Sequence, residues 1–279
     1  MFQIRTLGEK LIFWALLAAL SLFIFFPIFW MTSTAFKPEG EVFLWMPTLL
    51  PSKPTLENFV KALTEENLPT YLKNSFITAG SSAILTMLLA AYAGFSFAKY
   101  RYTGQRHLMF LLLSAQMFPF AVLLITLYPM LNHWGLTDTY FGLILSYIVF
   151  ALPSGTFIMY TYFHNLPTEL LEAARVDGAS DFRILHTIIF PLSLPALITV
   201  ALYAFMWAWN DLLYSLTLTT SREMRTLGPG LLLTYLGEFR NDWGGAMAAS
   251  ILSSLPIIVI FTLLQRYFIQ GLTAGAVKS

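Results

Sequence analysis

Six long apolar runs, divided by shorter polar connections, set the pattern of this chain. The first reaches from Leu11 to Met31 with Ser21 as its only hydroxyl. A helix needs about 20 such residues to cross a hydrocarbon core roughly 30 Å thick. On that measure the sequence predicts spans at about 11–36, 72–98, 108–131, 140–163, 190–219 and 246–269. The runs lack the period-two alternation of a membrane β-barrel. The fold class expected is therefore all-α integral membrane, with six transmembrane helices in one domain over residues 1–279. Arg5, Lys10 and a Ser33-Thr34-Ala35 stretch give the first run some likeness to a signal peptide. Its apolar length exceeds the h-region of about 7–15 residues that such peptides carry, so it is expected to stay as the first span.

Three segments fall outside the bilayer. Lys37 to Lys73 holds Pro38, Pro47, Pro51, Pro54 and Pro69, and is expected to gain partial order from Trp45 and Phe59. Thr220 to Gly245 is expected to be a second long loop, rich in glycine and charge. His164 to Phe190 is the third. Basic residues in short loops orient a membrane chain. Lys99, Arg101 and Arg106 lie between the second and third spans, against Asp138 between the third and fourth. The first of these connections is placed in the cytoplasm and the second outside. Both termini, with Arg5, Lys10, Arg266 and Lys278, then lie inside. Trp30, Trp134 and Trp243 fall near the outer interface and Trp14 near the inner one, as an aromatic belt requires.

Composition narrows the function. Charged residues make up 11% of the chain, against about 25% in a soluble domain, which excludes an ordinary water-soluble enzyme. Twenty-five Phe and seven Trp argue against disorder. A net charge of +1 gives no pull toward nucleic acid. The absence of Cys removes disulfides and thiol chemistry. No lysine follows a glycine, so there is no Walker phosphate loop, and His107, His133, His164 and His186 form no HExxH pattern. Neither a catalytic nor a metal site is expected.

The inner segment is the most informative. Pro167 or Thr168 opens a short helix that Asp177-Gly178 ends, because glycine takes the left-handed conformation after a helix. Ser180 is placed to cap a second helix running through Phe182, Leu185 and Ile189 to Pro191. At helical spacing Leu166, Leu170, Ala173, Ala174 and Asp177 line one face of the first helix, with Glu172 and Arg175 on its flank. The alanines leave a low ridge over which a partner can close. A helix lying on lipid favours Lys and Arg on its polar face. This segment carries Glu169, Glu172, Asp177 and Asp181 against Arg175 and Arg183, which suits a protein partner better. Farther along, Asp211 lies 20 residues past Pro191, which puts it near the outer end of the fifth span at about 1.5 Å per residue. An ionisable group in a span is a functional candidate. The alternative is a hydrated or helix-paired carboxylate.

Glu172-Ala173-Ala174, then Gly178, Ile188 and Pro191, match the EAA signature of importer-type ABC permeases, with Phe190 where that family has leucine. The run Glu172-Ala173-Ala174-Arg175-Val176-Asp177-Gly178-Ala179-Ser180 is similar to the carbohydrate-uptake branch. The likeness continues through Gly135-Leu136-Thr137-Asp138-Thr139, Trp209-Asn210-Asp211, Met224-Arg225-Thr226-Leu227 and Asp242-Trp243-Gly244. It closes with Gln265-Arg266-Tyr267-Phe268 and Gly271-Leu272-Thr273-Ala274-Gly275-Ala276-Val277-Lys278. Essentially the whole chain resembles the MalG-type half of maltose-like sugar transporters.

That resemblance implies the type I ABC importer permease fold in a prokaryotic cell membrane. It implies a second related permease and two cytosolic ATPase subunits, which bind ATP and Mg where this chain binds no cofactor. An extracytoplasmic sugar-binding protein and membrane lipid complete the expected partners. Residues 164–190 become the coupling loop, with Leu170, Glu172, Ala173, Ala174, Arg175, Asp177 and Gly178 at the ATPase-coupling surface. Trp209, Asn210 and Asp211 become candidates for the substrate pathway, since amide and ring suit the hydroxyls and apolar face of a sugar. Gly228, Pro229 and Gly230 are either a plain connection or a loop touching the binding protein. The implied activity is import of a di- or oligosaccharide such as a maltose- or trehalose-like sugar by alternating access. The alternatives are another solute (a polyol or glycerol phosphate) and a stand-alone secondary transporter. A phosphorylated solute asks for a cationic clamp, and no Lys or Arg lies mid-span. A secondary transporter is opposed by the lone intramembrane carboxylate and the lack of a detectable inverted repeat.

Overall fold

The computed structural model describes residues 7–237 and 241–274, with side chains up to residue 267 in the last stretch. Arg5, Arg240, Lys278 and the tail motif from Gly275 onward lie outside the described residues.

Every regular element among the described residues is helical. In chain order they are α1 (Leu7–Ala35), α2 (Glu57–Thr64), α3 (Leu68–Lys99), α4 (Gln105–Ser114), α5 (Phe120–His133), α6 (Tyr140–His164) and α7 (Glu169–Val176). There follow α8 (Asp181–Ile184), α9 (Phe190–Leu192), α10 (Leu194–Trp209), α11 (Leu213–Leu218), α12 (Leu227–Tyr235) and α13 (Trp243–Ala274). A π-helical turn over Leu185–Ile189 joins α8 to α9.

Four of these, α1, α3, α6 and the Trp243–Tyr267 part of α13, are each long and apolar enough to cross a membrane. The third and fifth apolar runs are each broken into helices that meet at a sharp bend. Gln105–Met117 meets Phe120–His133 at 99°, and Asp181–Leu192 meets Leu194–Trp209 at 80°, so the count is six if each bent pair is one span. The first bend has a local cause. A proline ring bars the helical conformation to the residue before it, and Phe118, preceding Pro119, is extended at φ −75°, ψ 134°. At the second, Ser193 leaves helical geometry at φ −96°, ψ 11° between Pro191 and Pro195, neither of which has an N–H to continue the ladder. The fifth span breaks again after Trp209 and resumes as α11.

The chain divides into two compact units, residues 1–68 with 231–255, and residues 69–230 with 256–279. In the first, α1 buries only Ser33, Thr34 and Ala35, at its C-terminal end, and leaves its apolar length exposed. The proline-rich segment after it is ordered by a carboxylate rather than by Trp45, which is 98% exposed. Glu41 accepts hydrogen bonds from the Ser52 amide (2.9 Å), the Ser52 hydroxyl (3.0 Å) and the Thr48 hydroxyl (3.0 Å). The Ser52 amide is the main reason the Glu41 pKa is lowered. Lys37 donates to the Thr48 carbonyl at 2.7 Å and lies over the Trp30 ring. Phe59 does take the ordering part expected of it, packing on Phe36 at 5.0 Å.

The second unit carries the main core. One cluster gathers Ala90, Phe95, Met159, Phe163, Leu171, Ala174, Ile184, Ile189 and Val200 from α3, α6, the 164–190 loop and α10. Close approach here depends on missing side chains. A Cβ on Gly94 would lie 2.6 Å from the Met159 Cβ, and one on Gly155 would lie 2.9 Å from a Val200 methyl. Small residues at such contacts are the usual means of tight helix packing in lipid, where dispersion replaces the hydrophobic drive.

Candidate functional site

Two places in the second unit carry the predicted residues. The first is a hollow of about 650 Å³ lined by Phe120, Tyr203, Met206, Trp207, Asn210, Asp211, Leu212 and Leu213. Tyr203, Met206, Trp207 and Asn210 fall at i, i+3, i+4 and i+7, one face of α10 and its cap. The aromatic wall is internally braced. Trp207 stacks on Phe150 at 4.1 Å and meets Phe120 edge-on at 4.4 Å, while Phe120 stacks on Tyr214 at 4.1 Å.

The three expected pathway residues separate. Asn210 is exposed and borders the hollow, its amide donating to the Met206 carbonyl at 2.7 Å. Trp209 points the other way and is buried, stacked on Phe205 at 5.3 Å and edge-on to Phe76 at 4.8 Å. It is a packing residue. Asp211 borders the hollow but is only 7% exposed. One of its oxygens accepts from the Tyr147 hydroxyl (3.0 Å) and the Ser215 amide (2.8 Å), the other from the Tyr214 amide (3.2 Å). The first amides of a helix have no partner in the helix itself, so Asp211 is the acceptor that lets α11 start again after the break. The sequence reading missed Tyr203 and Trp207. The signal was the i, i+4 period, which puts Trp207 with Tyr203 and sets Trp209 with Phe205.

The second place is the loop of residues 164–190. Thr168 precedes α7, which ends at Gly178 with φ +79°, a conformation that costs glycine nothing. The Gly178 amide donates to Arg175 O and the Ala179 amide to Ala174 O, both at 3.0 Å, which is a Schellman closure. Ser180 caps α8 by accepting from the Arg183 amide at 3.3 Å, as its position predicts. The predicted stripe is split. Ala174, with Leu171, turns into the core, so the ridge does not contain both alanines. Leu170, Glu172, Ala173, Arg175 and Asp177 are exposed, joined by two residues that the stripe omitted, Val176 (89% exposed) and Phe182 (70%). Both are apolar side chains left open beside charged ones.

The loop is fastened to the C-terminal end of α3. The Arg175 guanidinium contacts Asp181 Oδ1 through Nε and Nη2, both at 3.0 Å, and the Tyr100 hydroxyl donates to Asp181 Oδ2 at 2.7 Å. Tyr100 first, then Arg175, holds the Asp181 carboxyl below the usual carboxylate range. Lys99 donates to Leu166 O at 2.9 Å, and Tyr92 and His186 pair at 2.9 Å.

Gly228, Pro229 and Gly230 do not form an open loop; they lie in the first turn of α12. A Cβ on Gly228 would lie 2.6 Å from Asp211 O, and one on Gly230 would lie 2.4 Å from the Tyr71 ring. Their task is close packing. Among the described residues no cluster of His, Asp or Glu is placed to hold a metal ion.

Residues 71–274 match the family model described as binding-protein-dependent transport system inner membrane component. The trehalose/maltose transport system permease protein MalG of Thermococcus litoralis is 37% identical over 255 residues, 91% of each chain. The diacetylchitobiose uptake system permease protein DasC of Streptomyces coelicolor is 34% identical over 267 residues, 95% of this chain and 96% of that one. In fold, the chain resembles one from the crystal structure of a bacterial ABC transporter involved in import of the acidic polysaccharide alginate. That match has a TM-score of 0.84 at 21% identity, covering 96% of this chain and all of that one. A second, from a bacterial alginate ABC transporter in complex with an alginate pentasaccharide-bound periplasmic protein, has a TM-score of 0.68 at 16% identity and covers 92% and 93%. Several apolar helices, an EAA-bearing loop and these likenesses agree: the chain is a multi-pass membrane protein and belongs to the family of binding-protein-dependent transport system inner membrane components.

Proposed function

We propose that this chain is the membrane-spanning subunit of an ATP-driven sugar importer, taking a di- or oligosaccharide of the trehalose or maltose kind. The observation that carries the reading is the hollow on α10. It offers the rings of Phe120, Tyr203 and Trp207 and the amide of Asn210, with no Lys or Arg in its lining. Aromatic faces suit the C–H faces of a sugar and an amide suits its hydroxyls. A phosphorylated solute would instead call for a cation. Relatives named for trehalose, maltose and diacetylchitobiose support the same class.

In this reading the chain itself catalyses nothing. ATP and Mg bind two cytosolic ATPase subunits, a second related permease completes the pathway, and an extracytoplasmic binding protein delivers the sugar. Both termini lie in the cytoplasm. The exposed residues of α7, with Val176 and Phe182, form the surface on which an ATPase subunit pushes. Leu171 and Ala174, buried beneath that surface, carry the push into the core. The permease then alternates between outward- and inward-facing states.

The test is co-purification of the tagged chain from native membranes, followed by reconstitution in liposomes with ATP inside and the cognate binding protein outside. Uptake of radiolabelled trehalose or maltose, lost with vanadate, is the expected result. Recovery of the chain with no ATPase in mild detergent overturns the reading.

A further inference from the structure

We infer that Asp181 is a positioning residue that fastens the α7 surface to the inner end of α3, so that movement of α7 is delivered to the second span. The inference rests on the importer reading above and adds to it the route by which the push leaves the loop.

The turn that follows α7 is its weak point. It is held by two backbone bonds and by Gly178, a residue with the widest conformational freedom. A force applied to the exposed face of α7 can be spent in bending that turn. What opposes this is one carboxylate with two clients. Its Oδ1 takes the Arg175 guanidinium from the last turn of α7, and its Oδ2 takes the Tyr100 hydroxyl from just beyond α3. Arg175 and Asp181 lie on opposite sides of Gly178, so their pair spans the turn directly. Tyr100 lies 81 residues away in sequence and ties that closed turn to another helix.

An exposed ion pair alone contributes little. Here the geometry differs in kind, because each acceptor oxygen serves a different element and charge-assisted bonds hold both. Nearby contacts point the same way. Lys99 donates to the Leu166 carbonyl ahead of α7, and the Phe95 ring meets Tyr100 and Phe163 edge-on at 6.0 and 5.8 Å. Tyr100 is thereby held against the core on one side and against Asp181 on the other.

The test uses the assembled transporter in liposomes, and reads sugar molecules imported per ATP hydrolysed. The probe is radiolabelled trehalose or maltose, whichever the wild-type complex imports. Tyr100→Phe removes a single oxygen, and Asp181→Ala removes the shared acceptor. Each is expected to lower the ratio by at least five-fold, the low end of measured coupling between sites, while binding-protein-stimulated ATPase activity persists. The double variant is expected to be no worse than Asp181→Ala, since both changes break one connection. A merely structural role would move the melting temperature and the yield of complex without moving the ratio. If Asp181→Ala fails to assemble, Tyr100→Phe decides alone. An unchanged ratio in Tyr100→Phe, or additive losses in the double variant, overturns the inference. A wild-type complex that does not import sugar at all overturns the importer reading instead, so the two failures are distinguishable.

Discussion

Trp207 and Asp211 lie four residues apart and do opposite work. Trp207 presents a ring to the hollow, whereas Asp211 spends both oxygens on its own chain. Trp207→Ala is therefore expected to raise the sugar concentration for half-maximal uptake about ten-fold, the equivalent of about 1.4 kcal/mol, with ATPase stimulation retained. An unchanged half-saturation would remove the aromatic wall from the pathway. Asp211→Ala leaves the Tyr147 hydroxyl and two amides of α11 without their acceptor. Leaving such groups unpaired when buried costs about 2–4 kcal/mol, so the loss should register first as a lower melting temperature in detergent, with Asp211→Asn intermediate. A stable Asp211→Ala protein with a raised half-saturation would instead make the carboxylate a sugar ligand.

At the scale of the element, what holds each turn was legible in part. Gly178 and Ser180 announce a helix end and a cap by residue type, and both are found there. Gly228-Pro229-Gly230 has the same local signature of a loop, yet forms a helix start, because its glycines are there to admit Tyr71 and the Asp211 backbone. Those neighbours are distant in sequence, so no local pattern could show them. Gly230→Ala drives a Cβ into the ring of fully buried Tyr71, and overpacking of this sort costs about 1–3 kcal/mol. The expected outcome is a lower melting temperature with no change in sugar preference. Gly178→Asp meets open space but must hold a left-handed backbone, and it sets a further carboxylate beside Asp177. Uptake should fall while the chain stays in the membrane. Glu41 supplies a pH test. Its carboxyl is more acidic in the folded loop than in the unfolded chain, chiefly through the Ser52 amide. Its contribution is thus complete above the ordinary carboxylate range and is lost as pH falls through the lowered folded value. The protection factor of the Ser52 amide, its exchange rate relative to an open amide at the same pH, should hold from about pH 5 upward and fall only in stronger acid, whereas Glu41→Gln should lower it at every pH.

For the whole molecule, four long apolar helices followed from apolar length alone, and six spans if each bent pair counts as one. The two bends did not, because a hydropathy run has no direction; the prolines at positions 119, 191 and 195 were visible, but their angles depend on what they pack against. The stripe on α7 was misjudged for the same reason: periodicity names a face, and only the core decides which face turns inward. Those bends also bear on the order in which the chain can settle. Phe120, the first residue after the 99° bend, offers its carbonyl to the hydroxyl of Tyr214 on α11, at 3.0 Å. Leu192, the last before the 80° bend, offers its carbonyl to Tyr162 on α6, also at 3.0 Å. The second partner is already synthesised when its bend emerges. The first is made 94 residues later. The carbonyl at the first bend therefore gains its hydroxyl partner only when the end of the fifth apolar run has been made.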